Sequence, residues 1–315
     1  MIKILANDGI DEQGKFLLEQ EGFKVVTEKV DQDKLIEVLN AENFSAITVR
    51  SATKVRKELI DACPGLKLIG RGGVGMDNID VEYARSKGIV VVNTPAASSY
   101  SVAELVMAHL FSMSRFLYDS NREMPLNGAG KFQVLKKKYA EGSELRGKTL
   151  GIIGFGRIGQ AVAKYALGLG MKVQAFDPYC NSAEITIDFF DNTTHIIKIN
   201  TLSIEEVIAN ADFITLHVPG GEIITSKEFS VMKVGVALVN TARGGVINEK
   251  DLVEALNSGK VAHAALDVFE NEPTPSVELL KHPKISLTPH IGAATNEAQE
   301  RIGIELAEKI IDNLK

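Results

Sequence analysis

The chain has only two cysteines in 315 residues, Cys63 and Cys180, and neither sits in a metal-spaced or redox motif. That excludes a disulfide framework and a cysteine-built metal centre, and it suits free thiols in a reducing compartment. Long apolar runs are also missing. The most apolar stretch, Val102 to Leu117, is interrupted by Glu104, His109 and Arg115, so it does not read as a membrane span. The N-terminus, Met1-Ile-Lys-Ile-Leu-Ala-Asn-Asp8, turns polar too soon for a signal peptide. Basic runs are scarce, and Lys136-Lys137-Lys138, the only short cluster, reads on its own as a solvated face. With a net charge of −6, this argues against nucleic acid or an anionic membrane as a main partner. Together these absences leave a cytoplasmic enzyme as the expectation.

What is present is ordinary for a globular protein, with 45% hydrophobic and 24% charged residues. The length suits two domains or one large one. Up to Val92, short β-rich runs (Ile2–Ala6, Phe23–Thr27, Ala46–Val49, Leu66–Ile69, Ile89–Val92) alternate with helical patterns (Asp11–Glu21, Gln32–Asn40, Val81–Lys87). Strands spaced by helices imply a parallel sheet covered on both faces. Asn93-Thr-Pro95 breaks the pattern. A long helix is expected from Ser98, with an apolar stripe through Val102, Leu105, Val106, His109, Leu110, Met113, Phe116 and Leu117. Ser101 with Glu104 fits a capping box, and Ser98 is an alternative start. Residues 122–144 read as loop because of Pro125, Gly128, Gly130 and Gly142. Two β-prone runs around Asp191-Asn192 suggest a surface hairpin over 181–200, to which no chemistry is assigned. Strand signals follow at Phe213–Val218, Ala237–Asn240, Ala262–Asp267 and Ile285–Leu287. Pro289 ends the run, and Asn296 to Asn313 reads as a last helix.

The most informative stretch is Leu150-Gly-Ile-Ile-Gly-Phe-Gly-Arg-Ile-Gly-Gln160, an apolar strand running into Gly154-x-Gly156-x-x-Gly159 and then a helical pattern. In a dinucleotide-binding turn the first glycine permits the turn and the second lets the backbone approach a pyrophosphate. The third lets the helix pack on the strand. The helix N-terminus offers free N–H groups to the phosphates. Lys172-Val-Gln-Ala-Phe176 reads as the next strand. Asp177 ends it, about 20 residues past the glycines, where a ribose-binding carboxylate is expected. A carboxylate there accepts hydrogen bonds from the ribose of NAD and repels the 2′-phosphate of NADP, and Pro178 and Tyr179 supply no offsetting charge. The cofactor expected is NAD.

Ligands of open parallel sheets bind outside the carboxyl ends of the strands. Polar residues collect at such places. Arg243 follows one strand in Val239-Asn-Thr-Ala-Arg-Gly-Gly245. Asp267 and Glu272 follow another in Leu266-Asp-Val-Phe-Glu-Asn-Glu-Pro273. His290 follows a third in Leu287-Thr-Pro-His-Ile-Gly-Ala-Ala294. An arginine, a carboxylate and a histidine so placed suit a carboxylate substrate and a proton.

In this order, after the glycine turn, these segments resemble the D-2-hydroxyacid dehydrogenases. The likeness extends over nearly the whole chain, through Gly70-Arg-Gly-Gly-Val-Gly-Met-Asp-Asn-Ile-Asp80, Asn93-Thr-Pro95 and Ser101-Val-Ala-Glu104. It implies an α/β fold of two doubly wound parallel-sheet domains with a cleft between them. A flavodoxin-like substrate domain is expected over 1–97 and 290–315, and a Rossmann-type cofactor domain over 98–289. The two crossings would form a hinge, and the long helix with its neighbouring loop is expected at a homodimer interface. His290 is implied as the general base on the C2 hydroxyl in oxidation and the general acid in reduction. Glu272 is implied as its orienting partner, favoured over Glu270 by the Glu-Pro pair. Arg243 is implied to grip the substrate carboxylate and polarise the C2 oxygen, helped by backbone N–H groups near Gly73, Val74 and Gly75.

Further cofactor contacts are implied for Arg157 and Ile158 in the glycine turn, His217 and Val218 after a strand, and Thr241 and Ala242. Asp267 is implied to orient the nicotinamide carboxamide, with Gly292 nearby. Within the family, Arg50-Ser51, Val102-Ala-Glu-Leu105 and Pro289-His-Ile-Gly-Ala-Ala-Thr-Asn-Glu-Ala-Gln299 look most like members that act on 3-phospho-D-glycerate, the first step of L-serine biosynthesis. A phosphorylated 2-hydroxy acid is the partner expected. Arg50 would meet the phosphate, and Lys137 or Lys138 would reach it across the dimer. Glycerate or hydroxypyruvate is the alternative substrate, and a non-catalytic NAD-sensing scaffold is the alternative of another class. Two departures stand out. Val218-Pro-Gly-Gly-Glu-Ile-Ile-Thr225 is shorter than the family's usual polar loop. No C-terminal regulatory domain follows the last helix, so little inhibition by L-serine is expected.

Overall fold

The computed structural model describes residues 1–315. In chain order the first elements are β1 (Lys3–Ala6), α1 (Glu12–Gln20), β2 (Lys24–Val26), α2 (Leu35–Ala41), β3 (Ala46–Val49), α3 (Lys57–Ala62), β4 (Leu68–Arg71), α4 (Val81–Ser86) and β5 (Val90–Asn93). Two long helices follow, α5 (Ser99–Ser114) and α6 (Leu117–Lys138). Then come β6 (Thr149–Ile153), α7 (Arg157–Gly168), β7 (Lys172–Phe176), β8 (Ser182–Asp188), β9 (Thr194–Asn200), α8 (Ile204–Asn210) and β10 (Phe213–Leu216). The chain ends with α9 (Ser226–Val231), β11 (Val236–Asn240), α10 (Glu249–Ser258), β12 (Val261–Leu266), α11 (Val277–Leu280), β13 (Ile285–Leu287) and α12 (Asn296–Leu314). No helix is long and apolar enough to cross a membrane.

Two compact units result, Met1–Ser101 with Ala293–Lys315, and Val102–Gly292. In the first, all pairings are parallel and the strand order is β2-β1-β3-β4-β5. One face of this sheet packs Leu5, Ile47, Val49 and Ile69 with Leu35, Leu39, Leu59 and Ile60 from α2 and α3. The other packs Ile4, Ala6, Ala46 and Leu68 with Leu18 of α1 and Leu306, Ala307 and Ile310 of α12. The alternation of Ile4 and Leu5, or Leu68 and Ile69, to opposite faces explains why these strands read as unbroken apolar runs. Burial of each such side chain contributes about 1.5–3 kcal/mol.

The second unit holds a six-stranded parallel sheet, order β13-β12-β11-β10-β6-β7. β8 and β9 form a separate antiparallel pair, Ser182 opposite Asn200 and Asp188 opposite Thr194. This is the hairpin expected from the sequence, with Asn192 at its turn in the left-handed region (φ +64°). Its inner residues Ile185 and Ile199 join the core beneath α7.

Two local expectations need correction. Residues 122–138 are helix and only 139–144 are loop, because α6 runs to Lys138, with Pro125 inside and a break at Lys131. Its two ends are tied together by Tyr139, whose hydroxyl donates to Asp119 Oδ2 at 2.6 Å, and by Lys138 Nζ, 2.8 Å from the same oxygen. Ser101 caps nothing, since α5 has begun by Ser99, and its hydroxyl lies 2.8 Å from that of Thr295. The short helix α3 carries too few residues to show a periodicity and was not expected.

Candidate active site

The glycine turn follows β6, an interior strand between β10 and β7. Gly154 has φ +94°, and a β-carbon there would stand 2.4 Å from the His217 carbonyl oxygen. A β-carbon on Gly159 would stand 2.2 Å from the Gly154 carbonyl oxygen. Any side chain at either position would drive the turn off the end of β10 or push α7 off β6. Gly156 is different, since nothing lies within 4 Å of a β-carbon built there. It precedes α7, whose start carries no side-chain cap. The first-turn N–H groups and the positive end of the helix are therefore open above a bare stretch of backbone, which fits a pyrophosphate. Arg157 and Ile158 form the first turn of this helix.

Asp177 follows β7. Its Oδ2 accepts the Phe155 N–H at 2.7 Å, and its Oδ1 accepts those of Tyr179 and Cys180 at 2.8 and 3.1 Å. The carboxylate thus braces the glycine turn against the end of β7, a role the sequence did not reveal. His217 presents its carbonyl beneath Gly154, while its ring is buried with Nε2 3.0 Å from the Thr215 hydroxyl. Burial pushes its pKa down to about 3, so the imidazole stays neutral. Val218 packs against Gly154 and the core.

At the far side of β10, Asn240 ends β11 and clamps the next loop. Its Oδ1 accepts the Ala242 N–H at 3.0 Å and its Nδ2 donates to the Arg243 carbonyl at 2.9 Å. Thr241 and Ala242 lie within this clamp, and the Thr241 hydroxyl is buried without a partner. Arg243 Nη1 donates to the Ala242 carbonyl at 2.6 Å. A β-carbon on Gly244 would lie 1.9 Å from the Phe269 carbonyl oxygen, so the Arg243 loop presses directly on the backbone that follows β12.

That backbone carries Glu272, whose Oε1 accepts the Phe269 N–H at 3.0 Å and whose Oε2 lies 2.8 Å from His290 Nδ1. A carboxylate only accepts, so Nδ1 carries the hydrogen and Nε2 of the neutral ring carries a lone pair. Glu270 turns elsewhere. Its N–H donates to Glu249 Oε1, and Glu249 returns the bond to Glu270 Oε1. Burial, with Glu270 adding to it, raises the Glu249 pKa. His290 itself sits at φ +57°, a conformation that needs support from its surroundings.

Asp267 supplies that support. It is 1% exposed. Its Oδ1 accepts the Thr288 hydroxyl at 2.6 Å and the Ile291 N–H at 2.8 Å, and its Oδ2 accepts the Gly292 N–H at 2.9 Å. Arg243, Glu272 and His290 are thereby brought to the carboxyl ends of three adjacent strands of one unit.

The remaining predicted residues belong to the other unit. Arg50 and Ser51 follow β3. Asp8 accepts the N–H groups of Arg50 and Thr53 on Oδ2, at 2.7 and 3.1 Å, and the Thr53 hydroxyl on Oδ1 at 2.7 Å. Asn78 donates to the carbonyls of Arg50 and Thr53 at 2.7 and 2.6 Å. Residues 50–53 are thus pinned from both sides. Burial lowers the Arg50 pKa while the Asp8 charge raises it, and the guanidinium stays charged. The Gly73 N–H is occupied by the Thr94 hydroxyl at 2.8 Å, so it is not available to a substrate. Those of Val74 and Gly75 have no partner within the chain. Asp8, Asn78 and Thr288 were missed because their partners are distant in sequence, and Asn240 because nothing in the local sequence marks it as the clamp of its own loop.

Residues 107–292 match the model of the D-isomer specific 2-hydroxyacid dehydrogenase NAD-binding domain. The chain belongs to the D-isomer-specific 2-hydroxyacid dehydrogenases. It is similar to a hydroxypyruvate reductase of Thermotoga maritima, 43% identical over 99% of this chain and 98% of the relative. It is also similar to a D-3-phosphoglycerate dehydrogenase of Methanocaldococcus jannaschii, 41% identical over 98% of this chain, which spans 57% of that relative. Among solved structures, a D-2-hydroxyisocaproate dehydrogenase superposes with a TM-score of 0.80 at 27% identity, covering 100% of this chain and 97% of the other. The dehydrogenase is therefore an NAD-dependent oxidoreductase of D-2-hydroxy acids.

Proposed function

We propose that this dehydrogenase oxidises 3-phospho-D-glycerate, with Arg243, Glu272 and His290 as its catalytic residues. The glycine turn and the first turn of α7 would hold NAD, which would supply the hydride acceptor for C2. His290 Nε2 takes the C2 hydroxyl proton, and Glu272, on Nδ1, favours the imidazolium that forms. Arg243 holds the substrate carboxylate and polarises the C2 oxygen, and the open N–H groups of Val74 and Gly75 add donors. Asp267, by staking Ile291 and Gly292, keeps His290 in register. Its remaining acceptor capacity can serve the carboxamide.

The pinned Arg50 loop carries the substrate assignment. A guanidinium on a loop fixed by Asp8 and Asn78 is preorganised for an anion. Arg50 would meet the substrate phosphate, as Arg243 would its carboxylate. In a homodimer, Lys137 would be the lysine that reaches the phosphate, since Lys138 is paired with Asp119 on its own chain. A second reading, glycerate and hydroxypyruvate, is favoured by Asp8. Its carboxylate already stands near Arg50, so the arginine is not without an anion when the substrate lacks a phosphate.

Arg50→Ala separates them. A lost charge-assisted pair should raise KM for phosphoglycerate by about 10-fold or more and leave KM for glycerate within about 2-fold. Equal effects on both substrates would rule out the phosphate role.

A further inference from the structure

The polar row beneath His290 does not end at Asp267. Thr288 gives its single hydroxyl hydrogen to Asp267 Oδ1 at 2.6 Å. Its oxygen lies 3.2 Å from Nε2 of His109, which sits on α5 and is 4% exposed. Having donated to Asp267, Thr288 can only accept from His109, so the ring hydrogen is on Nε2. Burial lowers the His109 pKa, against the opposing charge of Asp267, and the ring is neutral. Nδ1 is then bare, and it accepts from the Ser286 hydroxyl at 3.3 Å. The hydrogens therefore all point one way, from Ser286 through His109 and Thr288 to Asp267. Each bond polarises the next.

On sequence, His109 is one more member of the apolar stripe of α5, among Val106, Met107, Leu110 and Met113, all buried. An apolar residue would fill the same space. It would leave Thr288 without the donor that holds its oxygen, and Asp267 would lose the fixed orientation of one of its three partners.

We propose that His109 is a positioning residue of the dehydrogenase, acting through Thr288 and Asp267 to hold the backbone that carries His290. It is enclosed on α5, and its polar contacts are with Ser286 and Thr288. Its effect falls on the rate of the proton-coupled step and not on substrate binding, because Arg243 and the Arg50 loop are held by other groups.

The test uses His109→Leu, which keeps the volume and removes the donor, and His109→Gln, whose amide restores a donor and an acceptor. Two readouts are taken, hydrogen exchange at the Ile291 and Gly292 amides, and initial rates with whichever of 3-phospho-D-glycerate, D-glycerate or D-lactate the wild type oxidises. The exchange readout is independent of which acid that is. In His109→Leu, loss of one buried hydrogen bond should speed exchange at both amides about 5- to 10-fold and lower kcat by a similar factor, with KM within about 2-fold. His109→Gln should recover both. In a Thr288→Val background, where the row is already cut, His109→Leu should add less than about 2-fold. If His109→Leu does not fold, His109→Asn, whose amide is too short to reach Thr288, takes its place. Unchanged exchange and kcat in His109→Leu would overturn the proposal. So would a His109→Gln enzyme as impaired as His109→Leu, or effects that simply multiply with Thr288→Val.

Discussion

Asp267→Asn is the sharpest perturbation of the site that leaves its shape intact. The side chain is 1% exposed, and all three of its partners are donors, the Thr288 hydroxyl and the N–H groups of Ile291 and Gly292. An asparagine keeps an oxygen toward Thr288 and Ile291, but its NH2 then faces the Gly292 N–H where 2.9 Å separated donor and acceptor. The flipped amide is worse, because it opposes two donors in place of one. One bond to a charged group is lost and a buried N–H is left unsatisfied, together about 2–3 kcal/mol. At about 2–4 °C per kcal/mol for a unit of this size, Tm should fall by about 4–12 °C. Because the same bonds hold His290 at φ +57°, kcat should fall by about 10- to 100-fold through misplacement of the base. A thermal melt followed by circular dichroism and an NADH absorbance assay measure the two effects. A variant with wild-type Tm and kcat would refute the account of Asp267 as the stake of the His290 loop.

Further outcomes follow from the other contacts. Asp177→Ala should raise KM for NAD and narrow the preference over NADP, and equal use of the two cofactors by the wild type would remove the ribose argument. His290→Ala should lower kcat about 100-fold or more. Burial pushes the His217 pKa down to about 3 and also lowers those of His109 and His263. Against an unfolded value of about 6.5, the unfolded chain binds protons first, so stability is full above about pH 6.5 and declines as pH falls toward 3. His217→Asn should flatten that decline in urea midpoints measured across it, and an unchanged slope would count against the burial argument.

The parts of this molecule that were legible in its sequence are those set by local chemistry. The glycine turn was readable because a side chain at Gly154 would collide with the His217 carbonyl and one at Gly159 would push α7 off β6. The β8–β9 hairpin was readable from two β-prone runs around Asp191-Asn192. The helix α6 was not, because Pro125, Gly128 and Gly130 are breakers that only tertiary contacts override. Ser101 looked like a cap because its local pattern carries no information about Thr295, its partner across the fold. The site shows the same division. Arg243, Glu272 and His290 could be picked out by type and by their place after strands. Gly244, Asp8 and Asn78 could not, since each acts on backbone brought close only by strand pairing or loop packing. His109 was the hardest to read, as a polar residue in an apolar stripe whose three partners in the row lie on β13 and at the ends of β12 and β13.

The central functional claim is that the pinned Arg50 loop selects a phosphorylated acid. The most direct test is the kcat/KM of the wild-type enzyme for 3-phospho-D-glycerate and for D-glycerate, measured with NAD under the same conditions. A gain from a charge-assisted phosphate contact predicts a ratio of about 10 or more in favour of phosphoglycerate, and a ratio near one, or one favouring glycerate, would contradict it.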